Sequence, residues 1–248
     1  MSAQLAIPAT TYLLKTIIED RLAAAYQGLP TPPVLVTPPP RPAQSAPGNG
    51  QPQQAAESPS LTLFMHHAGP NGAWRNMHEP VMNSAGQRIR RDPLVLDLQY
   101  LLAAHGADLE REALLGIAMS ALHRNAIIPR PMITQMLGRI AAPNPAEKLL
   151  DRLPSAQLAD PDHQPETITV SQLPVDIDTS TKLWSAFQSP IRPCALYQVT
   201  TVFLEIEEAY PPPLAVETVR ISGRPEPSGT GSPFAPDVIL SRAPQGET

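Results

Sequence analysis

Apolar positions along the first segment recur at helical spacing. Leu13, Leu14, Ile17, Ile18, Leu22 and Ala25 form one stripe, and Gly28 followed by Pro30 supplies a stop. An amphipathic helix is predicted there. Leu61-Thr62-Leu63-Phe64-Met65-His66 alternates and meets the turn-forming run Gly69-Pro70-Asn71-Gly72, so it reads as a strand entering a long loop. Leu94, Leu96, Leu98 and Tyr100 share one face of a second strand, with Val95 and Leu101 on the other. A strand apolar on both faces belongs in the middle of a sheet. After Gly106, Asp108 is placed to cap a helix carrying Leu114, Leu115, Ala118, Met119 and Leu122. Met132, Ile133, Met136, Leu137 and Ile140 repeat that register and end before Pro143, which predicts a helical hairpin across Asn125–Pro131.

Further on, Glu166–Val170 reads as a short strand, Asp178–Phe187 as a short helix and Cys194–Glu208 as a strand running the length of a sheet. The order of elements gives an α+β fold, a mixed β-sheet packed by helices on one side. Residues 1–210 make one domain on this reading, and residues 211–248 a C-terminal arm and flexible tail. Pro211-Pro212-Pro213 cannot continue a ladder, because it lacks three N–H donors and has fixed φ. It is a stiff spacer before one more strand candidate, Leu214–Ile221, which needs a sheet to join.

Composition sharpens this picture at two places. The chain has 32 prolines in 248 residues, against a usual share of about 5%. Ten fall in Pro30–Pro59 and eight in Pro211–Thr248. The first of these runs has few large apolar side chains to offset the entropy of ordering, and is read as a long insertion ordered by a partner. The formal net charge of −5 is the reverse of a nucleic-acid-binding footprint. Against it, Gly69–Asp92 is locally basic, with Arg75, Arg88, Arg90 and Arg91. The best apolar stretch, Ala113–Leu122, is far shorter than the ~20 residues that span a bilayer, and no secretory signal is visible. A single cysteine, Cys194, excludes an intrachain disulfide and suits a reducing, cytoplasmic setting.

Candidate chemistry is sparse. His66 and His67 are neighbours on a strand and point to opposite faces, so without a bulge one ion cannot reach both. His78, His105, His123 and His163 show no ligand spacing, and no metal or cofactor is predicted. The chain lacks a nucleophile elbow, a phosphate loop and a dinucleotide fingerprint. Cys194 reads as a small half-buried strand residue, and Asp176/Asp178 and Glu205/Glu207/Glu208 as solvated carboxylates, so no catalytic residue is assigned. Trp184 reads as core. Trp74, in a Gly/Asn/Arg loop, reads as an interface anchor.

Several stretches together carry a resemblance. Leu61–Asn76 with its Gly69-Pro70-Asn71-Gly72-Ala73-Trp74-Arg75-Asn76, then Pro93–Leu102, Leu114-Leu115-Gly116 with Ala121-Leu122-His123, and Lys182-Leu183-Trp184-Ser185 with Pro193 and Tyr197-Gln198-Val199, resemble the N-terminal domain of the tail-terminator or cap proteins of extracellular contractile injection systems. These are phage-tail-like particles of the antifeeding-prophage and virulence-cassette type. The similarity runs from Met1 to about Tyr210. It implies a non-enzymatic subunit, without cofactor, forming a hexameric ring on the baseplate-distal end of tube and sheath, where it ends polymerisation and couples the two. The partners implied are further copies of the chain and the inner tube and sheath proteins, with neither nucleic acid nor membrane insertion. The interface residues expected are Trp74, Arg75, Arg88, Arg90 and Arg91, and on the arm Leu214, Val216, Val219 and Ile221. Pro30–Pro59 and the tail after Tyr210 depart from the family's usual pattern. An envelope or membrane adaptor of the same particle is the alternative, and a hydrolase using Cys194 or the Asp176/Asp178 pair a more distant one.

Overall fold

The computed structural model describes residues 5–41, 57–74, 94–140, 159, 161 and 164–204, with the backbones of strand residues 81–82, 88–90, 218–220 and 239–241. In chain order the elements are α1 (Ala6–Ala25), β1 (Val34–Leu35), β2 (Ser60–Pro70), β3 (Val81–Met82), β4 (Arg88–Arg90), β5 (Leu94–His105) and α2 (Glu110–Arg124). There follow β6 (Ile127–Ile128), α3 (Arg130–Leu137), β7 (Ile168–Leu173), α4 (Ile177–Phe187), β8 (Cys194–Leu204), β9 (Thr218–Arg220) and β10 (Ile239–Ser241). Six strands make one mixed sheet in the order β1-β2-β5-β8-β7-β6, antiparallel except for the β1–β2 pair. The fold is α+β, as the pattern predicted.

β5 is central because both its faces are apolar. Leu96, Leu98, Tyr100, Leu102 and Ala104 join Leu13, Leu14, Ile17, Ile18 and Leu22 of α1, Leu114, Ala118 and Leu122 of α2, and Ile133, Met136 and Leu137 of α3 in the main core. Burying each leucine, isoleucine or methionine among them contributes roughly 1.5–3 kcal/mol. Threonines inside α1 are tolerated because their hydroxyls donate back to carbonyls one turn earlier, Thr10 to Ala6 at 2.8 Å and Thr16 to Tyr12 at 2.9 Å. The Tyr100 hydroxyl meets Thr11 Oγ1 at 2.8 Å, and burial pushes its pKa up to about 12. α1 ends where Gly28 takes φ 82°, the left-handed conformation that glycine adopts without strain.

The opposite face carries a fourth helix. Trp184 of α4 packs on Leu101, Ala103 and Leu196, so among the described residues the sheet has three helices on one side and a short one on the other. Asp176 caps α4, its carboxylate accepting from Thr179 N–H at 3.1 Å, so the helix starts at Ile177, one residue ahead of the expected Asp178.

Elsewhere the structure corrects the sequence expectations. β2 runs through Gly69 and Pro70 instead of turning there, pairing with β5 as far as Pro70↔Leu96; β1 covers only Leu61 and Thr62, so this length of β2 is an edge, where proline costs no ladder bond. The proline-rich segment is not wholly dependent on a partner: Val34 is buried in the main core, and Pro33 O accepts from Leu61 N–H at 3.0 Å. Asp108 does not cap α2. It sits at φ 51°, and Leu109 holds the cap position without a side-chain bond. The connection between α2 and α3 contains β6, an edge strand paired with β7. Ala25 is exposed at the end of α1. Asn144–Asp151, Glu205–Glu208 and most of the arm lie outside the described residues.

Candidate interaction surface

The second face of the sheet is built of two halves that differ in chemistry. At one end, two β-bulges set the geometry. Between Leu96 and Leu98 of β5 the partner β8 advances from Val202 to Val199, one residue more than β5 does, and Thr201 takes φ 61°. Such a bulge leaves backbone groups without ladder partners. Gln164 supplies them: its Nε2 donates to Thr201 O and its Oε1 accepts from Phe203 N–H at 3.2 Å. Buried and polar, Gln164 was invisible as a functional residue in the sequence, since nothing local marks a side chain that serves a strand 37 residues away.

The bulge places Phe203 beneath Trp74. Their rings meet edge to face, 5.2 Å apart at 77°, a geometry worth about 0.5–1.5 kcal/mol beyond burial. Trp74 is fixed from below by Asn71, whose Oδ1 accepts from the N–H groups of Ala73 and Trp74, each at 3.0 Å. Asn71 in turn donates to Asp97 Oδ1 at 2.7 Å, and Asp97 Oδ2 accepts from Gln198 at 3.1 Å. Trp74 is therefore half-buried against its own β8, held by a bracket spanning β2, β5 and β8.

Of the expected arginines, Arg88 and Arg90 lie on β4, opposite Met82 and Val81 of β3; Arg75 and Arg91 fall outside the described residues. On the arm, Val219 lies in β9 and pairs with Leu240 of β10, while Leu214, Val216 and Ile221 fall outside. The arm strand thus has a partner in its own chain, which the sequence did not suggest. β9–β10 and β3–β4 each form a two-stranded sheet separate from the six-stranded one.

At the other end of the face, α4 leaves a groove of about 410 Å³ between itself, Leu173 at the end of β7, the Pro174–Asp176 connection and Leu196 of β8. Val175 and Ile177 stand exposed beside it, Ile177 at 83%. Cys194 lines the groove, half-buried as expected. Burial pushes its thiol pKa up, which makes it a poorer nucleophile. Asp176 is committed to the cap of α4, and the Thr179 bonds hold its pKa down, opposite to what a general acid requires.

A buried polar cluster went unnoticed in the sequence. His105 Nε2 meets Thr62 Oγ1 at 2.8 Å, His105 Nδ1 faces Glu57 Oε1 at 3.5 Å, and Arg192 pairs with the other Glu57 oxygen. Burial, then the Arg192 charge, hold the imidazole pKa below its ordinary value, with Glu57 opposing. Hydroxyl, imidazole and carboxylate stand in the order of a nucleophilic triad, but Thr62 is 1% and His105 2% exposed, so a substrate could not reach them. The cluster instead ties Glu57 to β2, β5 and the entry to β8. Pro40 is tied to the same entry, its carbonyl accepting from Ser189 Oγ at 2.9 Å. His66 occupies the second bulge, between Met65 and His67; burial lowers its pKa, and no group of three or more metal-ligating side chains occurs among the described residues. Nor, among them, is any helix long and apolar enough to cross a membrane.

These features define an α+β module whose six-stranded sheet packs three helices on one face and α4 on the other, among the described residues. Residues 9–218 match the Pvc16 N-terminal domain, and the chain belongs to that family. Among solved structures it is similar to the sheath/tube terminator of PVC, an extracellular contractile injection system, in its extended state, with 13% identity and a TM-score of 0.47 over 89% of this chain and 64% of that one. It is also similar to the tube-terminating cap of the anti-feeding prophage, with 11% identity and a TM-score of 0.44 over 86% and 62%. The chain thus covers less than two thirds of either. No curated protein matches it.

Proposed function

We propose that this chain is a structural cap, the terminator subunit of a contractile injection system, and has no catalytic role. Six copies form a ring on the baseplate-distal end of tube and sheath, ending polymerisation and coupling the two. The observation that carries this is the family match over residues 9–218, which agrees with the resemblance of the Leu61–Asn76, Pro93–Leu102 and Lys182–Val199 stretches. The physical account is that a growing tube or sheath ends in unsatisfied contact surfaces. A symmetric ring complementary on one side alone stops growth.

In this reading residues 1–210 are the ring domain and 211–248 the arm, and assembly takes place in the cytoplasm. Arg75, Arg88, Arg90 and Arg91 face an acidic surface of a neighbour or of the tube. Single surface pairs contribute about 0–1 kcal/mol, so they set register more than strength. Trp74, packed edge to face on Phe203 of β8, is the remaining contact residue of this surface.

Native mass spectrometry of the purified chain, together with its recovery in particles, tests the proposal. A hexamer that co-purifies with tube and sheath is the expected result; a monomer absent from particles overturns it. Reversing Arg88, Arg90 and Arg91 to Glu should lower the yield of capped particles, and normal yield would remove these residues from the interface. Deleting residues after Tyr210 should leave a folded subunit that no longer joins ring or sheath. An unfolded subunit would instead assign the arm to the subunit's own fold.

A further inference from the structure

α1, α2 and α3 enclose between them a groove of about 480 Å³. Each helix presents residues about one turn apart to it: Ile17 and Arg21 of α1, Ala121 and Arg124 of α2, Met132 and Met136 of α3. The groove thus has an apolar wall and two basic corners. Ile17, Ala121 and Met136 are buried and Met132 is half-buried, whereas Arg21 and Arg124 stand exposed.

The charges lining it do not cancel. Asp20 supplies the carboxylate there, and Arg139 takes both its oxygens, at 2.8 and 2.9 Å. Arg21 and Arg124 make neither a hydrogen bond nor an ion pair among the described residues, unlike Arg111, Arg130, Arg139 and Arg192. Arg124 suits the C-terminal end of α2 through the helix dipole. Arg21 lies ahead of the last turn of α1 and has no such reason to be there. Asn125 shares the groove, and its Nδ2 covers the Ala121 carbonyl at 2.8 Å, so the electronegative end of α2 is partly satisfied. The α4 groove, by contrast, is lined by Asp176 and by no arginine or lysine.

Two unmatched guanidiniums beside an apolar wall complement a chain segment that carries carboxylates on either side of a long apolar residue. Guanidinium forks match carboxylates in geometry, and methionine adapts its shape to an apolar guest. Nucleic acid fits worse. No aromatic ring lines the groove to stack on a base, and the chain carries a net charge of −5. We infer that this groove is a docking site for an acidic peptide segment of a partner protein, its apolar side chain seated on Met132 and Met136 and its carboxylates on Arg21 and Arg124. The site uses none of the residues assigned to the ring above, so it stands apart from that proposal.

The full-length chain, with its methionine methyls isotopically labelled, is titrated in the NMR spectrometer with a synthetic peptide holding one leucine between two pairs of glutamates. The Met132 and Met136 signals, assigned with Met132→Leu and Met136→Leu, should shift and saturate while the other methionine signals hold still. Arg21→Gln combined with Arg124→Gln should weaken the affinity about tenfold, and added salt should weaken it in the unaltered chain. A peptide with glutamine in place of each glutamate should bind about tenfold more weakly as well. Should the double variant lose the native methionine spectrum, that neutral peptide on the unaltered chain gives the same reading. Equal binding of the two peptides, an unchanged affinity in a folded double variant, or a titration that leaves both methyls unmoved overturns the inference. A thymidine oligonucleotide that moves the same signals at lower concentration than the acidic peptide overturns it in favour of nucleic acid.

Discussion

The two faces of the six-stranded sheet are served very differently by the same strands. On one, α1, α2 and α3 bury Leu96, Leu98, Tyr100, Leu102 and Ala104 under a continuous core. On the other, α4 covers Leu101, Ala103 and Leu196 with Trp184, leaves Val175 and Ile177 exposed, and gives way to the Asn71–Asp97–Gln198 bracket. Odd and even positions of β5 therefore answer to different demands. The first face holds the subunit together, and the second leaves apolar side chains exposed among the described residues.

Substitutions can sharpen or break that contrast. Leu102→Ala opens a cavity under three helices that cannot collapse, and should cost about 3–4 kcal/mol, within the 2–5 typical of buried leucines, measured by urea unfolding. Trp184→Ala removes a larger side chain, yet next to an existing groove, so it should cost about 2–3 kcal/mol, below the usual 3–5 for a buried tryptophan. If Trp184→Ala proves the more damaging, the second face is as much core as the first and the contrast fails. Tyr100→Phe removes the bond to Thr11 and should cost about 1 kcal/mol, since the threonine hydroxyl still donates to Ile7 O at 3.2 Å.

The smallest effect is on pH dependence. The His105 pKa is lowered in the folded chain, so the unfolded chain, near 6.5, takes up its proton first. Stability is then fully present above about pH 6.5 and falls as pH drops through the folded value. Thermal unfolding between pH 8 and 5 should show this slope, and His105→Gln should flatten it. Glu57 and Arg192 face the same ring, so Glu57→Gln, which removes the charge opposing the shift, should steepen it.

Much of the fold was legible because periodicity reports burial on a single element. The stripes of α1, α2 and α3, the double-faced β5 and the long β8 all carried their own signal. The two-residue strands β1 and β6 did not. Val34-Leu35 and Ile127-Ile128 become strands only because β2 and β7 offer them an edge, and no window of two residues shows a period. Gly69-Pro70 carried turn chemistry that its edge position overrode. His105 and Gln164 were opaque for another reason: their partners lie 43 and 37 residues away, and one buried polar residue has no spacing to recognise. The family resemblance drew on Gly69–Trp74, at and beyond the end of β2, and on Lys182–Ser185, inside α4 where Trp184 packs on the sheet.

The paired ties at Ser189–Pro40 and Arg192–Glu57 have a consequence for what the chain tolerates between residues 41 and 57. Both ends of that stretch are held by one short segment ahead of β8, so a change of length between the anchors alters a closure entropy. Closure entropy grows with the logarithm of loop length, and each doubling costs only about 0.6 kcal/mol. A foreign sequence spliced between the two anchors should leave the melting behaviour of the subunit almost untouched, as a thermal scan would show.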